Sequence, residues 1–466
     1  MKKLIAFIAV LIIALALIGP KFAGNIFNQQ LDQYIESLNS TGVYQVKVQE
    51  RQQGWFSTQA TIEVAIVMAN LPASTNTADW QINFQTQAQH GPVLTKGGPG
   101  LGWLSWSVSL LDDQLPKDIT TNATGPVYQA NGKMGLLGGT SYKDKITDIT
   151  YTDAATNINL YIQGWQGEGY LTGSSLTYSG GGANIDMNMP GLYELALSGL
   201  ALSVEAEGSL TNMTAGQLID SLASISLEKM ELNNLLENTT MQMDSLKFDY
   251  SIALDDDAGL ADFNSDFSLA SLSFPGFSLN DMVMNTQVNN LEQAFLNAYN
   301  DMNKAVMQDP QRAEQIMQQA MQEYLLPQLM AEPEFNITQL TGVINGGNID
   351  ITSSNKLLGV TSLPDTMENN DFWLEHLSSN SQMDVQDSAA KFISAMVLET
   401  QLAANPEFAA LEPEQRAQII DQQSAATLEG LVQQGLLTKT ADGYSMSFDM
   451  QDGKAVLNEA PIPLFN

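Results

Sequence analysis

The stretch 61-TIEVAI-66 places Ile62, Val64 and Ile66 at every second position, with polar or small residues between them. Successive side chains of an extended strand point to opposite faces, so this period of two predicts a strand with one buried face. The same alternation recurs, between turns rich in Gly, Asn and Asp, around residues 46–48, 80–86, 158–162, 195–207, 241–254 and 263–274. The sequence therefore predicts a long, strand-rich region of antiparallel sheet.

Helical spacing appears later in the chain. Apolar residues recur at intervals of three and four in residues 291–306, 316–324, 388–403 and 413–434. The pair Asp309-Pro310 predicts a helix start, Gly435 predicts a helix end, and Asp452-Gly453 predicts a hairpin turn. Strand alternation returns at residues 335–352, 444–450 and 454–457. We therefore expect an α+β protein in which long, antiparallel, twisted sheets are joined by amphipathic helices.

The length predicts more than one lobe. A chain of 466 residues exceeds the size at which a single hydrophobic core normally stops growing. From the change in periodicity along the chain we predict a signal anchor at 1–24, a strand-rich lobe at 25–287, a helical segment at 288–332 and a second α+β lobe at 333–466.

The N-terminus has the layout of a signal sequence. Two lysines precede an uncharged apolar run at 4–19, which Pro20 and Lys21 close. This run spans roughly 24 Å at about 1.5 Å per residue, so it crosses a bilayer core of roughly 30 Å only if flanking lysines reach the interfaces. Cleavage at the small-x-small site Ala14-Leu15-Ala16 is the alternative. We favour an uncleaved transmembrane helix.

The flanking charges orient this anchor. Lys2 and Lys3 lie before the apolar run, and cytoplasmic flanks carry the excess of Lys and Arg. We therefore predict a single-pass protein of the bacterial inner membrane with its N-terminus in the cytoplasm and its body in the periplasm. Residues 26–38 follow with helical spacing and predict a helix that rests on the body.

Charge and cysteine content exclude several classes of partner and chemistry. The chain has 19 Lys and Arg against 52 Asp and Glu, a formal charge of −33, and no cysteine. Binding of nucleic acid requires a basic surface to neutralise phosphates, so a nucleic-acid partner is excluded. Without cysteine there are no disulfides, thiol nucleophiles or lipid-modified cysteine, so any membrane anchor must be part of the peptide chain.

The motifs that usually carry chemistry are incomplete. His90 and His376 are the only histidines, too few for a histidine-rich metal site. The glycine-rich run at 96–102 lacks the Gly-Lys-Ser/Thr of a phosphate-binding loop. We therefore assign no catalytic, cofactor-binding or metal-binding residue, and we expect His90 to cap a turn. For Trp103 and Trp106, beside the glycine-rich run, core packing is the default interpretation, and the alternative is a contact surface for lipid or protein.

Four features in a fixed order carry a resemblance to a known family. They are the N-terminal anchor, the Gly54-Trp55-Phe56-Ser57 step into a strand, the strand end at His90-Gly91-Pro92, and the C-terminal strand pair before Asn458. Over nearly its whole length the chain resembles the YdgA-like family of bacterial envelope proteins of unknown function. In that family the closing turn usually reads Asn-Gly, whereas here Glu459 follows Asn458. The resemblance implies an anchored envelope protein and brings no catalytic residues.

Two functions of different classes follow from these features. We favour a non-enzymatic binding or assembly protein of the cell envelope, which would present a long sheet groove to a lipid or another envelope component. The alternative is a periplasmic hydrolase of glycan or peptide that uses carboxylates. Two converging carboxylates in a cleft would favour the hydrolase, and a continuous apolar groove would favour the binding protein. Assembly into a homo-oligomer is left open.

Overall fold

The structure is a computed structural model. It describes residues 2–40, 44–66, 81–96, 99–110, 119–121, 125–153, 157–209, 212–213, 216–308, 312–403, 408 and 410–463. For residues 2–18, 66, 119, 153 and 307–308 it describes the backbone only. The predicted helix start at Asp309-Pro310 lies outside the described residues.

The chain divides into two compact units. The first comprises Met1–Glu228, Leu232–Glu237 and Asn297–Gln318, and the second comprises Lys229–Glu231, Asn238–Leu296 and Gln319–Asn466. The lobe boundaries expected from periodicity, at 287 and 332, stay a prediction.

The first unit is built on an antiparallel sheet. The strands of the first unit are β1 (Tyr44–Gln53), β2 (Ser57–Ile66), β3 (Gln81–His90), β4 (Val93–Leu94), β5 (Gly100–Leu101), β6 (Leu104–Leu110), β7 (Ile119–Thr121), β8 (Tyr128–Gly135), β9 (Gly138–Ile146), β10 (Ile149–Asp153), β11 (Ile158–Gln163), β12 (Gln166–Leu171), β13 (Ser175–Met189) and β14 (Tyr193–Glu207), followed along the chain by β15 (Asp220–Asn234). Of these, β4 and β5 pair with each other in a separate two-stranded sheet. Neighbours run in the order β1-β2-β3-β6-β8-β9-β12-β13-β14, and every pair is antiparallel. Beside β12, β11 pairs with the second half of β13 and leads on to β10 and β7.

The N-terminal helix α1 (Lys2–Ser40) is continuous through Pro20. The sequence predicts an apolar run closed by this proline and a separate helix at 26–38, whereas the structure joins the two. Proline removes one backbone donor and crowds the preceding turn. Pro20 is buried, so the residue that lacks the backbone donor also packs against the body.

One face of α1 covers the core of the first unit. Leu31, Ile35 and Leu38 pack against a cluster that contains the buried residues Val46 and Ile62. These helix residues repeat at intervals of four and three, which places them on one stripe. The predicted helix at 26–38 does rest on the body.

The second unit is a meander with helices inserted between its strands. The strands are β16 (Thr239–Asp255), β17 (Leu260–Phe274), β18 (Phe277–Glu292), β19 (Glu334–Ile344), β20 (Gly347–Leu357), β21 (Leu377–Gln386), β22 (Thr438–Lys439), β23 (Gly443–Gln451), β24 (Lys454–Leu457) and β25 (Ala460–Ile462). They pair antiparallel in the order β16-β17-β18-β19-β20-β21-β23-β24-β25, with β22 also on β23. The helices along this part of the chain are α2 (Gln293–Gln308), α3 (Ala313–Met330), α4 (Asn370–His376), α5 (Asp387–Ala403) and α6 (Pro413–Gln433). Most of α2 and the start of α3 lie within Asn297–Gln318, which belongs to the first unit.

The core of the second unit lies where α5 and α6 cover the sheet. Ala389 and Leu428, from the two helices, meet Ile349, Val385 and Tyr444 from three strands. Ala389 is fully buried, and its small side chain lets α5 approach the sheet closely.

The coarse fold prediction is confirmed. The described residues form an α+β protein with long antiparallel sheet, and the predicted helices correspond to α2, α3, α5 and α6. Gly435 follows α6 with φ +74°, the left-handed conformation expected of a helix-terminating glycine. In the described part of the chain, no helix is long and apolar enough to cross a membrane. The side chains of 2–18, on which the predicted anchor depends, lie outside that description.

Candidate functional site

Backbone hydrogen bonds join four separate segments of the first unit beside α1. The N–H of His90 donates to the carbonyl of Phe56 at 2.8 Å, and the N–H of Gly91 donates to the carbonyl of Trp103 at 2.7 Å. The indole Nε1 of Trp103 donates to the carbonyl of Leu136 at 3.0 Å. We call this group of strand ends, residues 54–57, 90–94, 100–104 and 134–138, the strand-end cluster. It brings together the family residues Gly54, Trp55, Phe56, His90, Gly91 and Pro92.

His90 lies at the centre of the strand-end cluster and is only 2 % exposed. Its Nε2 is 3.1 Å from the hydroxyl of Thr58, and its Nδ1 is 3.5 Å from the carbonyl of Trp55. A carbonyl can only accept, so Nδ1 carries the proton and Nε2 accepts from the Thr58 hydroxyl. The imidazole therefore bridges to the neighbouring strand and does not cap the turn that follows it.

Burial lowers the pKa of His90, the hydrogen bond with the Trp55 carbonyl raises it by less, and the positive charge of Lys21 adds a still smaller lowering. The ring is therefore neutral at pH 7, in agreement with its hydrogen bonds. A general base must present a free nitrogen to its substrate. Both ring nitrogens of His90 have protein partners, so the geometry fits a structural residue.

Small residues of α1 make room for the strand-end cluster. A Cβ at Gly24 would stand 2.5 Å from Nδ1 of His90, and a Cβ at Gly19 would stand 3.1 Å from the ring of Trp103. One turn beyond Gly24, the amide of Asn28 donates to the carbonyl of Gly24 at 2.8 Å and to the hydroxyl of Thr58 at 3.4 Å. The helix and the sheet thus share one buried network.

Two further contacts hold α1 to β1. Arg51 donates to Asp32, with Nη1 3.0 Å from Oδ2, and the hydrogen bond from Arg51 lowers the pKa of Asp32. At the end of the helix, Asn39 donates to and accepts from the backbone of Val46. Both side chains of the ion pair are partly exposed, so its contribution is modest, on the order of 1 kcal/mol. Its position fixes the direction of the helix along β1.

The second feature is an open groove of about 1120 Å³ on the sheet of the first unit. Register places two rows of side chains along it. One row runs Ser107, Asn131, Lys143, Glu168, Ser179 and Ser203, and the other runs Ser105, Lys133, Ser141, Tyr170, Thr177 and Glu205. These positions alternate with those that face α1, so the groove lies on the opposite face of the sheet. We call this feature the polar groove.

Hydroxyl, amide and charged groups line the polar groove together with apolar surface, part of it from Tyr142, Tyr170 and Tyr178. Lys96, Lys133 and Lys143 line it together with Glu168 and Glu205. Lys143 and Glu168 form an exposed ion pair at 2.8 Å, and its hydrogen bond lowers the pKa of Glu168. The lining therefore mixes polar and apolar groups, and it does not by itself decide between the two outcomes considered from the sequence.

Trp103 and Trp106 are both half-buried. Trp103 packs against α1, as described above. Trp106 is among the residues around the polar groove, but it alternates with Ser105 and Ser107 along β6. Its indole lies over Gly132 on the other face of the sheet, where a Cβ would stand 2.5 Å from Nε1. Their assignment as a contact surface for lipid or protein stays a prediction.

The remaining candidates take part in local structure. His376 ends α4, where Nδ1 donates to the carbonyl of Leu358 at 2.8 Å. Apart from the candidates named from the sequence, the acidic turn Asp255-Asp256-Asp257 after β16 also has a local partner, since Asp255 accepts from the N–H of Ala258 at 2.9 Å. Neither arrangement brings a nucleophile and a base together.

Sequence reasoning missed the residues that complete these features. Gly24, Asn28 and Thr58 carry no local motif, because their partners are distant in sequence and meet only through the packing of α1. The polar groove was also missed, although serines at 105 and 107 alternate along one face of β6. Such a face is indistinguishable from an ordinary solvated one until the register is known.

Comparisons with known proteins give one match. The family described as "bacterial protein of unknown function (DUF945)" matches residues 1–465. Neither the curated proteins nor the solved structures gave a significant match.

Proposed function

Since the chain belongs to DUF945, a family of bacterial proteins of unknown function, we propose that it is an anchored binding protein of the cell envelope. In this proposal the N-terminal segment spans the inner membrane once, the body lies in the periplasm, and the polar groove holds an anionic glycan without cleaving it. The resemblance to a family of envelope proteins agrees with this assignment.

The lining of the polar groove is the observation that carries the proposed ligand class. Sugars are recognised by hydroxyl and amide groups together with exposed aromatic rings, and anionic groups are recognised by lysine. The groove offers these groups in two parallel rows, with Tyr170 about half exposed among them. An acyl chain would leave the hydroxyls and lysines without partners, so the lining favours a polar ligand over a lipid tail.

The carboxylates of the groove favour binding over hydrolysis. A glycoside hydrolase needs one carboxyl group whose pKa is raised, so that it can protonate the leaving oxygen. Lys143 lowers the pKa of Glu168 instead. Glu168 is therefore suited to fixing Lys143 in the groove.

Titration of the purified full chain with soluble peptidoglycan fragments tests the ligand class. We expect saturable binding that an uncharged chito-oligosaccharide does not reproduce. Lys133→Ala should weaken binding roughly tenfold, since a contact to a charged group contributes about 1.5–3 kcal/mol. Lys247→Ala, in the second unit, is the matched control. Equal binding of charged and uncharged glycans would contradict the proposal, and shortening of the fragments would favour the hydrolase.

Reporter fusions and membrane extraction test the location separately. We expect alkaline phosphatase fused after Asn466 to be active and a cytoplasm-only reporter at the same site to be silent. The full chain should remain with membranes after alkaline carbonate washing. A soluble protein beginning near residue 17 would show that the segment is cleaved and that the anchor is wrong.

A further inference from the structure

Eight of the exposed apolar side chains of the first unit lie on α1 and on the strand ends beside it. The first unit exposes large apolar residues on the helix, on the β1–β2 turn, around β4 and β5 and on the β8–β9 turn: Phe22, Ile26, Trp55, Phe56, Val93, Leu101, Leu136 and Leu137. We call this set the apolar collar. Single exposed apolar residues are ordinary on a protein surface, whereas a group of them marks an interaction site.

The members of the collar are neighbours through the backbone hydrogen bonds of the strand-end cluster. Phe56 is bonded to His90, the strand that ends at His90 leads into Val93, and the carbonyl of Leu136 is held by Trp103. The collar therefore belongs to a connected and largely buried scaffold. Its side chains point outward from rigid turns.

The collar segments lack the acidic residues that are common in the rest of this protein. Acidic residues occupy 52 of the 466 positions of the chain, yet the segments 19–28, 54–57, 90–104 and 133–140 contain none. Among the lysines of these segments, Lys21 lies on α1 next to Phe22, whereas Lys96 and Lys133 line the polar groove. Apolar residues flanked by lysine complement an anionic bilayer surface, where the side chains enter the headgroup region and the ammonium groups meet lipid phosphates.

The course of α1 indicates that a lipid bilayer is what contacts the collar. Gly19 lies against Trp103 within the strand-end cluster, and the helix continues from this point back to Lys2. The segment that leaves the body beside the collar is the apolar run of the sequence. A bilayer that receives this run would meet the collar next.

We propose that the apolar collar seats the first unit directly on the surface of an anionic lipid bilayer. This inference rests on the anchoring part of the proposed function and adds a second, peripheral membrane contact. Trp55 and Phe56 lie in the interface, where aromatic rings are favoured.

The absence of cysteine allows a direct test, because one introduced cysteine can be labelled without competition. We would label Leu137→Cys in the full chain with a polarity-sensitive fluorophore and reconstitute the protein in vesicles of phosphatidylethanolamine and phosphatidylglycerol. The matched control is Leu192→Cys. Leu192 is also exposed, and it follows the C-terminal end of β13, away from the collar segments. We expect blue-shifted emission at 137 that lipids with brominated acyl chains quench severalfold, and water-like emission at 192.

Each other outcome has a definite meaning. If the protein floats with the vesicles but the label at 137 reports water, the collar proposal fails while the anchor stands. If the label is shielded but brominated lipids do not quench it, a second copy or another protein covers the collar, and the proposal also fails. If the protein does not float, both the anchor and the collar are wrong. Weaker quenching in purely zwitterionic vesicles would support a contact between Lys21 and anionic lipid.

Discussion

The imidazole of His90 lies against Gly24 so closely that a Cβ at residue 24 would stand 2.5 Å from Nδ1. This contact joins a strand end to the middle of α1, and the hydroxyl of Thr58 holds the ring from the other side. Real Cβ atoms do not approach other atoms so closely. The glycine is therefore required by the position of the histidine ring, although glycine is a poor helix former.

Gly24→Ala should destabilise the first unit, because the new methyl group collides with a buried ring that cannot move freely. Overpacking of this kind typically costs about 1–3 kcal/mol, which exceeds the gain of about 1 kcal/mol in helix propensity. Denaturant unfolding of the purified full chain measures the net effect. We expect a lower midpoint with an unchanged slope.

Gly430→Ala is the matched control for this prediction. Gly430 also lies within a helix, α6, but nothing lies within 4 Å of its would-be Cβ. The same substitution should therefore stabilise the protein by up to about 1 kcal/mol. A stabilising effect of alanine at both positions would show that His90 yields easily, and the interpretation of residue 24 would be wrong.

His90→Gln should remove one source of pH-dependent stability. Burial lowers the pKa of His90 in the folded protein from the ordinary value of 6.5, so below that pH the unfolded chain binds a proton more readily than the folded one. The stability that the neutral ring contributes is present in full above pH 6.5 and is lost as the pH falls through the folded pKa. The variant should also be less stable at pH 7 by about 1–3 kcal/mol, because Thr58 loses a buried partner.

The measurement is the free energy of unfolding at several pH values between 7.5 and roughly 4. Carboxylates affect both proteins alike, so the difference between the wild type and the His90→Gln variant isolates the histidine. We expect this difference to shrink as the pH falls. A difference that is constant with pH would mean that His90 has the same pKa in both states.

Ile62→Lys should disrupt the sheet of the first unit. Ile62 is 9 % exposed and belongs to the cluster that α1 covers, so an ammonium group there would be buried without a partner. The matched control is Gln59→Lys, an exposed position on the same strand. We expect loss of the cooperative transition, or a stability loss of several kcal/mol, only for Ile62→Lys. Equal behaviour of the two variants would contradict the assigned face of β2.

Local sequence patterns predicted the strands and turns, but they did not predict contacts between residues that are distant in sequence. The alternation around Val64 and the Asp452-Gly453 turn depend on neighbours in the chain, and the structure confirms both. The function of Gly24 depends on His90, which lies 66 residues away. A glycine within a helical pattern carries no signal that names its partner. The same limit applies to the polar groove, whose lysines come together only through the register of the sheet.

The turn between β24 and β25 gives a prediction that depends on both its sequence and its backbone conformation. Asn458 and Glu459 join β24 to β25 with φ values of 50° and 66°. Two residues in the left-handed region between antiparallel strands fit a type I′ turn, for which Asn-Gly is the preferred pair. This chain carries Asn458-Glu459 and keeps the turn, with Leu457 opposite Ala460.

Asn458 explains how the turn persists without glycine. Its side-chain oxygen accepts from the N–H of Ser447 at 2.9 Å, and its amide donates to the carbonyl of Gly435, also at 2.9 Å. These bonds tie the turn to β23 and to the end of α6. Glu459 has no comparable reason to adopt positive φ, which costs a residue with a Cβ roughly 1–2 kcal/mol.

Glu459→Gly should therefore stabilise the second unit by about 0.5–1 kcal/mol, since relief of backbone strain outweighs the greater flexibility of glycine in the unfolded chain. Glu459→Ala is the control, because it removes the carboxylate but keeps the Cβ, and it should leave the stability nearly unchanged. Thermal and denaturant unfolding of the three proteins provide the comparison. Equal stabilisation by Ala and Gly would assign the effect to the lost charge and would show that the turn is unstrained.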